Sequence, residues 1–323
     1  MIWTGISKLG SLKLTPVILA LVGIGAAISY RNEGTTTWAM ALPLFLVALN
    51  ILAAVLTNKK FHRNKPLLIF HLALIAVVVL VALGRLTYLR GHVELTEGEE
   101  FSSQLAEVEK GPWHWGNLNL VSFANEGFTV QYSSGVKVKK IENSIRWRDE
   151  EGKEQQGVIG GLVPLKLHGY KFYPSANKGF APTFIWRPKK GGSPMLGSVH
   201  LPSYPMHEYR QALAWTPPAS ETNLWIMLQF DEVILDPAQP SLFRAPRNYQ
   251  LIVRSGEQRW QLKPGESVTL PDGVLEFEGL RNWMGYSMVY DFTLPWILAA
   301  AMLAVGSMAA YFWSKFTSRP WDK

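Results

Sequence analysis

One side chain in this sequence sits where chemistry is expensive. His71 interrupts the apolar run Pro66-Leu-Leu-Ile-Phe-His71-Leu-Ala-Leu-Ile-Ala-Val77. An ionisable group in bilayer hydrocarbon is costly, so it faces a partner and marks a functional site by default. A neutral imidazole is a good axial ligand for haem iron. The competing account is a structural histidine, hydrogen-bonded to a neighbouring helix, for instance to Asn50. His71 follows Pro66 by five residues, about 7 Å along a helix, which places the ring near the cytoplasmic side of its span. None of the other expected spans contains a histidine. A haem held by two histidines would therefore take its second ligand from another protein.

Other chemistry-bearing residues form weaker patterns. His168, His200 and His207 are scattered and make a poor metal set. Trp113-His114-Trp115 reads first as an aromatic turn or strand packed on a membrane or sheet, and second as a ligand cluster. The chain has no cysteine, which removes disulfides, thiolate metal sites and thiol redox chemistry together. There is no G-x-S-x-G elbow, no H-E-x-x-H helix and no phosphate loop. No catalytic residue can be named.

The elements that would position His71 are membrane spans. A helix needs about 20 apolar residues to cross a hydrocarbon core about 30 Å thick. Four segments approach this, at roughly 14–30, 38–56, 66–84 and 294–313, with Tyr30, Trp38, Tyr88, Trp296 and Trp313 near their ends. The net charge of +7 is concentrated between them. Lys8, Lys13, Lys59, Lys60, Arg63, Lys65, Lys315, Arg319 and Lys323 face the single acid Asp322, which leaves the rest of the chain close to neutral. This is a positive-inside signal rather than a nucleic-acid patch. It puts both termini and the basic second loop in the cytoplasm and residues from about Arg85 onward outside. A cleaved signal peptide ending near Ala27-Ile28-Ser29 is the alternative for the first span.

Between Arg85 and Tyr290 the pattern changes to short alternating runs, including 128–132, 136–141, 224–230 and 249–253. Residues 260–280 read as three strands broken by the turns Pro264-Gly265 and Asp272-Gly273. Period-two alternation bounded by such turns predicts an antiparallel sandwich or barrel-like domain. Val93–Glu99 and Trp260–Glu266 echo one another, as reuse of one hairpin shape. Residues 202–218 and 236–246 are expected to be long loops. The expected fold is an α+β membrane protein. Its parts are a three-helix membrane region (1–84), an extracytoplasmic β-rich domain (85–290), and a last helix with a short tail (291–323).

Several motifs in order resemble the ResB (CcsB) family of System II cytochrome c biogenesis. They are Leu9-Gly-Ser-Leu-Lys-Leu-Thr15; the helix with Phe70-His71-Leu72, ending Leu83-Gly84-Arg85; Gly91-His-Val-Glu-Leu-Thr-Glu-Gly98; Pro164-Leu-Lys-Leu-His-Gly-Tyr-Lys-Phe-Tyr173; and Val289-Tyr290-Asp291. The family's usual Gln is Pro174 here, and its Pro-Gly after the Tyr-Asp pair is Phe292-Thr293. The resemblance implies a subunit that works with a CcsA/ResC-type partner to carry haem b across a bacterial inner membrane for attachment to apocytochrome c. A thiol-reducing thioredoxin-like protein would keep the acceptor cysteines reduced. The resemblance also implies His71 as the haem ligand and an acidic role for Asp291 at the outer end of the last span; at that interface Asp291 could bond to Arg85 or to backbone groups, or be an ordinary cap. The chain would be at most a non-catalytic or co-catalytic part of a haem lyase. The rival expectation is a membrane-anchored β-sandwich scaffold without haem.

Overall fold

The computed structural model describes residues 2–31, 37–206 and 209–317. Arg319, Asp322 and Lys323 of the charge pattern and His207 lie outside the described residues. The chain divides into two units: Met1–Arg90 with Val108–Gly116 and Val289–Lys323, and Gly91–Glu107 with Asn117–Met288.

The first unit is helical: α1 (Ile2–Leu9), α2 (Thr15–Arg31), α3 (Thr37–Thr57), α4 (Lys59–Arg63), α5 (Lys65–Thr87) and α6 (Leu294–Thr317). Among the described residues α3, α5 and α6 are long and apolar enough to cross a membrane. The apolar stretch of α2, Thr15–Tyr30, covers about 24 Å at 1.5 Å per residue, so the expected first span is the short one. Helix α5 starts cleanly because Asn64 Oδ1 accepts the Leu67 N–H and proline sits in the first turn, where its missing N–H costs nothing. It stops at Tyr88, whose backbone is extended (φ −63°, ψ 160°). Helix α6 buries only Ser307 within the protein and leaves Leu298, Met302, Val305 and Trp313 more than half exposed. Such a surface belongs in lipid or against another helix.

The second unit is built from β-sheets. A seven-stranded sheet runs in the order Glu107–Lys110, Leu89–Thr96, Gly273–Tyr290, Tyr170–Pro188, Leu165–Leu167, with Ser267–Leu270 and Met195–Ser198 paired to its two long strands. One four-stranded sheet holds Gln258–Leu262, Gln250–Ser255, Leu224–Gln229 and Ala212–Trp215. The other holds Ser241–Leu242, Phe123–Ser133, Lys137–Arg148 and Glu154–Gly160. The expected runs form antiparallel ladders shared over three sheets; the Asp272-Gly273 turn closes a hairpin, whereas the strands beside Pro264-Gly265 belong to different sheets. Two expected loops carry strands: Ala212–Trp215 falls within residues 202–218, and Ser241–Leu242 within 236–246. Both are short edge strands, whose ladder bonds a polar, proline-rich sequence conceals.

The echoed segments fold alike. In each, a glycine at φ +86° (Gly98, Gly265) completes a turn that a residue with a Cβ enters only with strain. Glu99 Oε2 accepts the Thr96 N–H at 2.8 Å, and Glu266 Oε2 accepts the Lys263 N–H at 2.8 Å. The second turn passes the chain from a four-stranded sheet to the seven-stranded one.

Aromatic rings fill the core. Phe123 lies 4.9 Å from Phe172, 5.3 Å from Phe101 and 5.6 Å from Tyr286. A buried polar chain crosses it: Tyr286 Oη donates to Asn143 Oδ1 (2.9 Å), Asn143 Nδ2 to Asn125 Oδ1 (2.8 Å), and Asn125 Nδ2 to Leu95 O (3.0 Å). Burial pushes the Tyr286 phenol far above its ordinary range. Lys178 is 1% exposed. Its ammonium donates to Ala176 O and Tyr204 O and lies over the rings of Tyr132 and Phe243 at 5.1 and 5.3 Å. Burial pushes its pKa down to about 8.

Candidate functional site

His71 lies in the second turn of α5, six residues after Lys65 and so about 9 Å from the start of the helix. Its Nδ1 is 2.8 Å from Leu67 O, one turn back on the same helix. A carbonyl only accepts, so Nδ1 carries a proton, and in a neutral imidazole that arrangement leaves the lone pair on Nε2. Among the described residues Nε2 has no hydrogen-bond partner. The ring is half-buried, 4.5 Å from Phe61 of α4 and 5.1 Å from Phe70. Metal-binding imidazoles are oriented in this way, one nitrogen donating to a backbone carbonyl while the other faces the metal. The residues present therefore fit an axial haem ligand.

Asn50, the example partner for a structural His71, is occupied elsewhere. Its Nδ2 donates to Leu9 O (2.6 Å) and its Oδ1 accepts from Thr15 Oγ1 (2.9 Å), tying α1 and α2 to α3. The hydrogen bond His71 does make is to its own helix.

Asp291 and Arg85 occupy the other end of the helical unit. Asp291 Oδ1 accepts from Thr293 N (2.8 Å) and Thr293 Oγ1 (2.7 Å), which closes the turn leading into α6. Instead of Arg85, the carboxylate takes the backbone N–H and the hydroxyl of Thr293. Among the described residues no ion pair joins it to Arg85. The Arg85 guanidinium stacks 5.5 Å above the Tyr88 ring, and its Nε is buried without a hydrogen-bond partner. Gly84 permits the close approach of α5 to this turn, since a Cβ there would lie 2.8 Å from Thr293 Oγ1. The structure places both residues at one helix-pairing point without joining them.

Trp113-His114-Trp115 is an aromatic turn, bonded to the end of α5. Trp113 N–H donates to Leu86 O (2.8 Å) and His114 Nδ1 to Thr87 O (2.9 Å). Trp113 meets Trp38 edge-on, and Trp115 meets Phe292. His168 is explained by its backbone: with Gly169 it forms a two-residue hairpin turn at φ +49° and +82° between Leu167 and Tyr170. His200 is held by two groups, Nδ1 by Glu94 Oε2 (3.0 Å) and Nε2 by Thr96 Oγ1 (3.0 Å), with its ring stacked on Trp283. No group of metal-binding side chains forms among the described residues.

Phe61 and the Leu67 carbonyl are the contributors that sequence reasoning missed. An aromatic residue inside an otherwise basic loop was the available signal for the first. The second follows from helix geometry four residues before any histidine.

Comparison with known proteins gives a family and distant structural likenesses. The ResB-like family matches residues 52–319, most of the chain. No curated protein matches. Among solved structures, the chain is similar to a cytochrome c haem lyase, CcmF, at 13% identity with a TM-score of 0.27, over 92% of this chain and 34% of that one. It thus spans about a third of that relative's length.

Proposed function

The chain belongs to the ResB-like family, a family of cytochrome c biogenesis, and from that premise we propose that it is the haem-receiving half of a membrane haem-delivery machine. Haem b would be held in the inner leaflet by His71 and by a second histidine from a CcsA/ResC-type partner. The observation that carries this reading is the His71 Nδ1 hydrogen bond to Leu67 O, which reserves Nε2 for a metal in an otherwise apolar helix. Bound haem would supply the porphyrin that becomes covalently attached to apocytochrome c. This chain's own part is to bind and orient it.

The helices set the direction of travel. With Lys8, Lys13, Lys59, Lys60, Arg63, Lys65 and Lys315 in the cytoplasm, the protein lies in a bacterial inner membrane with both termini inside. The β-rich domain (85–290) then faces the periplasm. Asp291 anchors the turn that fixes α6 beside α5, and Arg85 braces the outer end of α5 against Tyr88. Both act as positioning residues for the partner's contact surface. The outer domain would dock apocytochrome c or brace the partner, while a thioredoxin-like protein keeps the acceptor thiols reduced. No catalytic constellation is needed for this role.

The test is co-purification with a multi-span partner, followed by absorption spectroscopy. Wild type should show a Soret band of histidine-ligated haem, and His71→Ala should lose most of it. A colourless wild-type complex would leave the scaffold reading in its place.

A further inference from the structure

We infer that the basic turn at residues 59–65 is the carboxylate end of the His71 site: Lys59, Lys60 and Arg63 receive the two carboxylates at the edge of the porphyrin whose iron His71 would hold. The inference rests on the haem reading above and adds to it a substrate requirement, a macrocycle that carries free carboxylates.

The structure joins the two features through Phe61. This ring sits in the middle of α4, between Lys60 and His62, and packs at 4.5 Å and 60° against the His71 imidazole. The wall of the proposed iron site is therefore built by the basic turn itself. The turn is held in shape at both ends. Asn58 Oδ1 accepts the Lys60 N–H (3.0 Å), Asn58 O accepts the Phe61 N–H (3.1 Å), and Asn64 N–H donates to Phe61 O (3.2 Å). Asn64 also caps α5, the helix that bears His71. One asparagine thus fixes the spacing between the cations and the imidazole.

The charges on this turn are unneutralised. Lys59, Lys60, Arg63 and Lys65 are exposed, and among the described residues none forms an ion pair. In the β-rich unit, Arg146, Arg187, Arg244 and Arg281 each pair with a glutamate. Membrane orientation requires only an excess of positive charge on this side; it does not require that an aromatic ring tie the charges to a lone intramembrane histidine. Carboxylates cannot follow a porphyrin into hydrocarbon without a large desolvation cost. A ring bound by His71, about 9 Å along α5, keeps its carboxylates near this turn, where charge-assisted hydrogen bonds to lysine and arginine stabilise them.

The cations could instead serve lipid phosphates, and the test separates these anions. The full-length protein with its co-purified partner, in phosphatidylcholine nanodiscs, is titrated with haemin and with haemin dimethyl ester, which lacks free carboxylates, following the histidine-ligated Soret band. Wild type should bind haemin at least about tenfold more tightly than the ester, the size of one charge-assisted contact. The combined Lys59→Gln, Lys60→Gln and Arg63→Gln variant should lower haemin affinity to that of the ester and leave the ester unchanged. Lys59→Arg with Lys60→Arg should keep the preference. Single Lys60→Gln, a milder change, should lower it partway. Equal binding of the two haemins by wild type, through a band that His71→Gly abolishes, would overturn the carboxylate assignment while the ligand assignment stands. So would a preference retained by the triple variant, which would leave the cations to topology or lipid headgroups. A band unaffected by His71→Gly would overturn the haem reading itself.

Discussion

His71 and His200 have similar immediate chemistry and opposite situations. His200, in the β-rich unit, has both nitrogens engaged, by Glu94 and Thr96, and one face covered by Trp283. His71, in the helical unit, has one nitrogen engaged by its own helix and the other without a hydrogen-bond partner among the described residues. A fully satisfied imidazole stabilises a fold. A half-satisfied one in an apolar segment stabilises nothing by itself and pays a solvation cost for remaining there. The buried chain in the β-rich unit shows the same closure as His200, although Tyr132 Oη, Gln211 Oε1 and Asn282 Oδ1 of that unit are buried without hydrogen-bond partners among the described residues. In the β-rich unit Tyr286, Asn143 and Asn125 close into one buried chain, while in the helical unit Asn50 ties the ends of two helices to a third.

The largest expected effect that probes this contrast lies in the buried chain. Asn143→Ala takes the partner from the Tyr286 hydroxyl and the side-chain donor from Gly127 O, and leaves Asn125 Oδ1 only the Gly127 N–H; it should cost about 4 kcal/mol of stability. Denaturant unfolding of the full-length protein, followed by tryptophan fluorescence, measures it. An intermediate effect is expected at His200→Ala, about 2 kcal/mol, with the Soret band unaltered. A lost band there would erase the distinction between the two histidines. Gly84→Val should cost about 1–3 kcal/mol through overpacking against Thr293, and should weaken co-purification with the partner if α5 and α6 present its contact surface.

Two smaller effects depend on pH. Asp272 Oδ2 accepts hydrogen bonds from Ser220, Glu221 and Thr222, and these hold its carboxyl down to about 2. A depressed carboxyl contributes stability above its unfolded pKa of about 4 and loses it as pH falls through about 2. Asp272→Asn should flatten that acid limb of the Tm profile. Lys178 has the opposite sense. Its folded pKa of about 8 lies below the ordinary lysine value of 10.5, so the unfolded chain binds more protons between those values and stability should rise with pH across that window. Lys178→Met should remove the rise.

Much of this was legible in the sequence for identifiable reasons. The spans, the turn at Pro264-Gly265 and the echo between Val93–Glu99 and Trp260–Glu266 are local signals, carried by hydropathy, glycine and a glutamate at fixed spacing. Ser241–Leu242 was hidden because its ladder bonds come from a distant strand, Phe123–Ser133, and Ala212–Trp215 because it is only four residues within a proline-rich stretch. His71 stood out as a lone cost in an apolar run. Its tautomer did not, because that depends on a side-chain rotamer reaching Leu67 O. Asp291 was legible as a residue at a helix boundary, but its bond to Thr293 rather than Arg85 was set by the backbone path at Phe292-Thr293, where this chain departs from the motif it resembles.

The most direct test of the central claim uses His71→Gly, which removes the imidazole and leaves space for a free one. Purified with its partner, this variant should lack the histidine-ligated Soret band and regain it on titration with imidazole, as the wild type shows without it. A variant that keeps the band before imidazole is added, or a wild type whose band shifts no differently from the variant's, would contradict His71 as the iron's ligand.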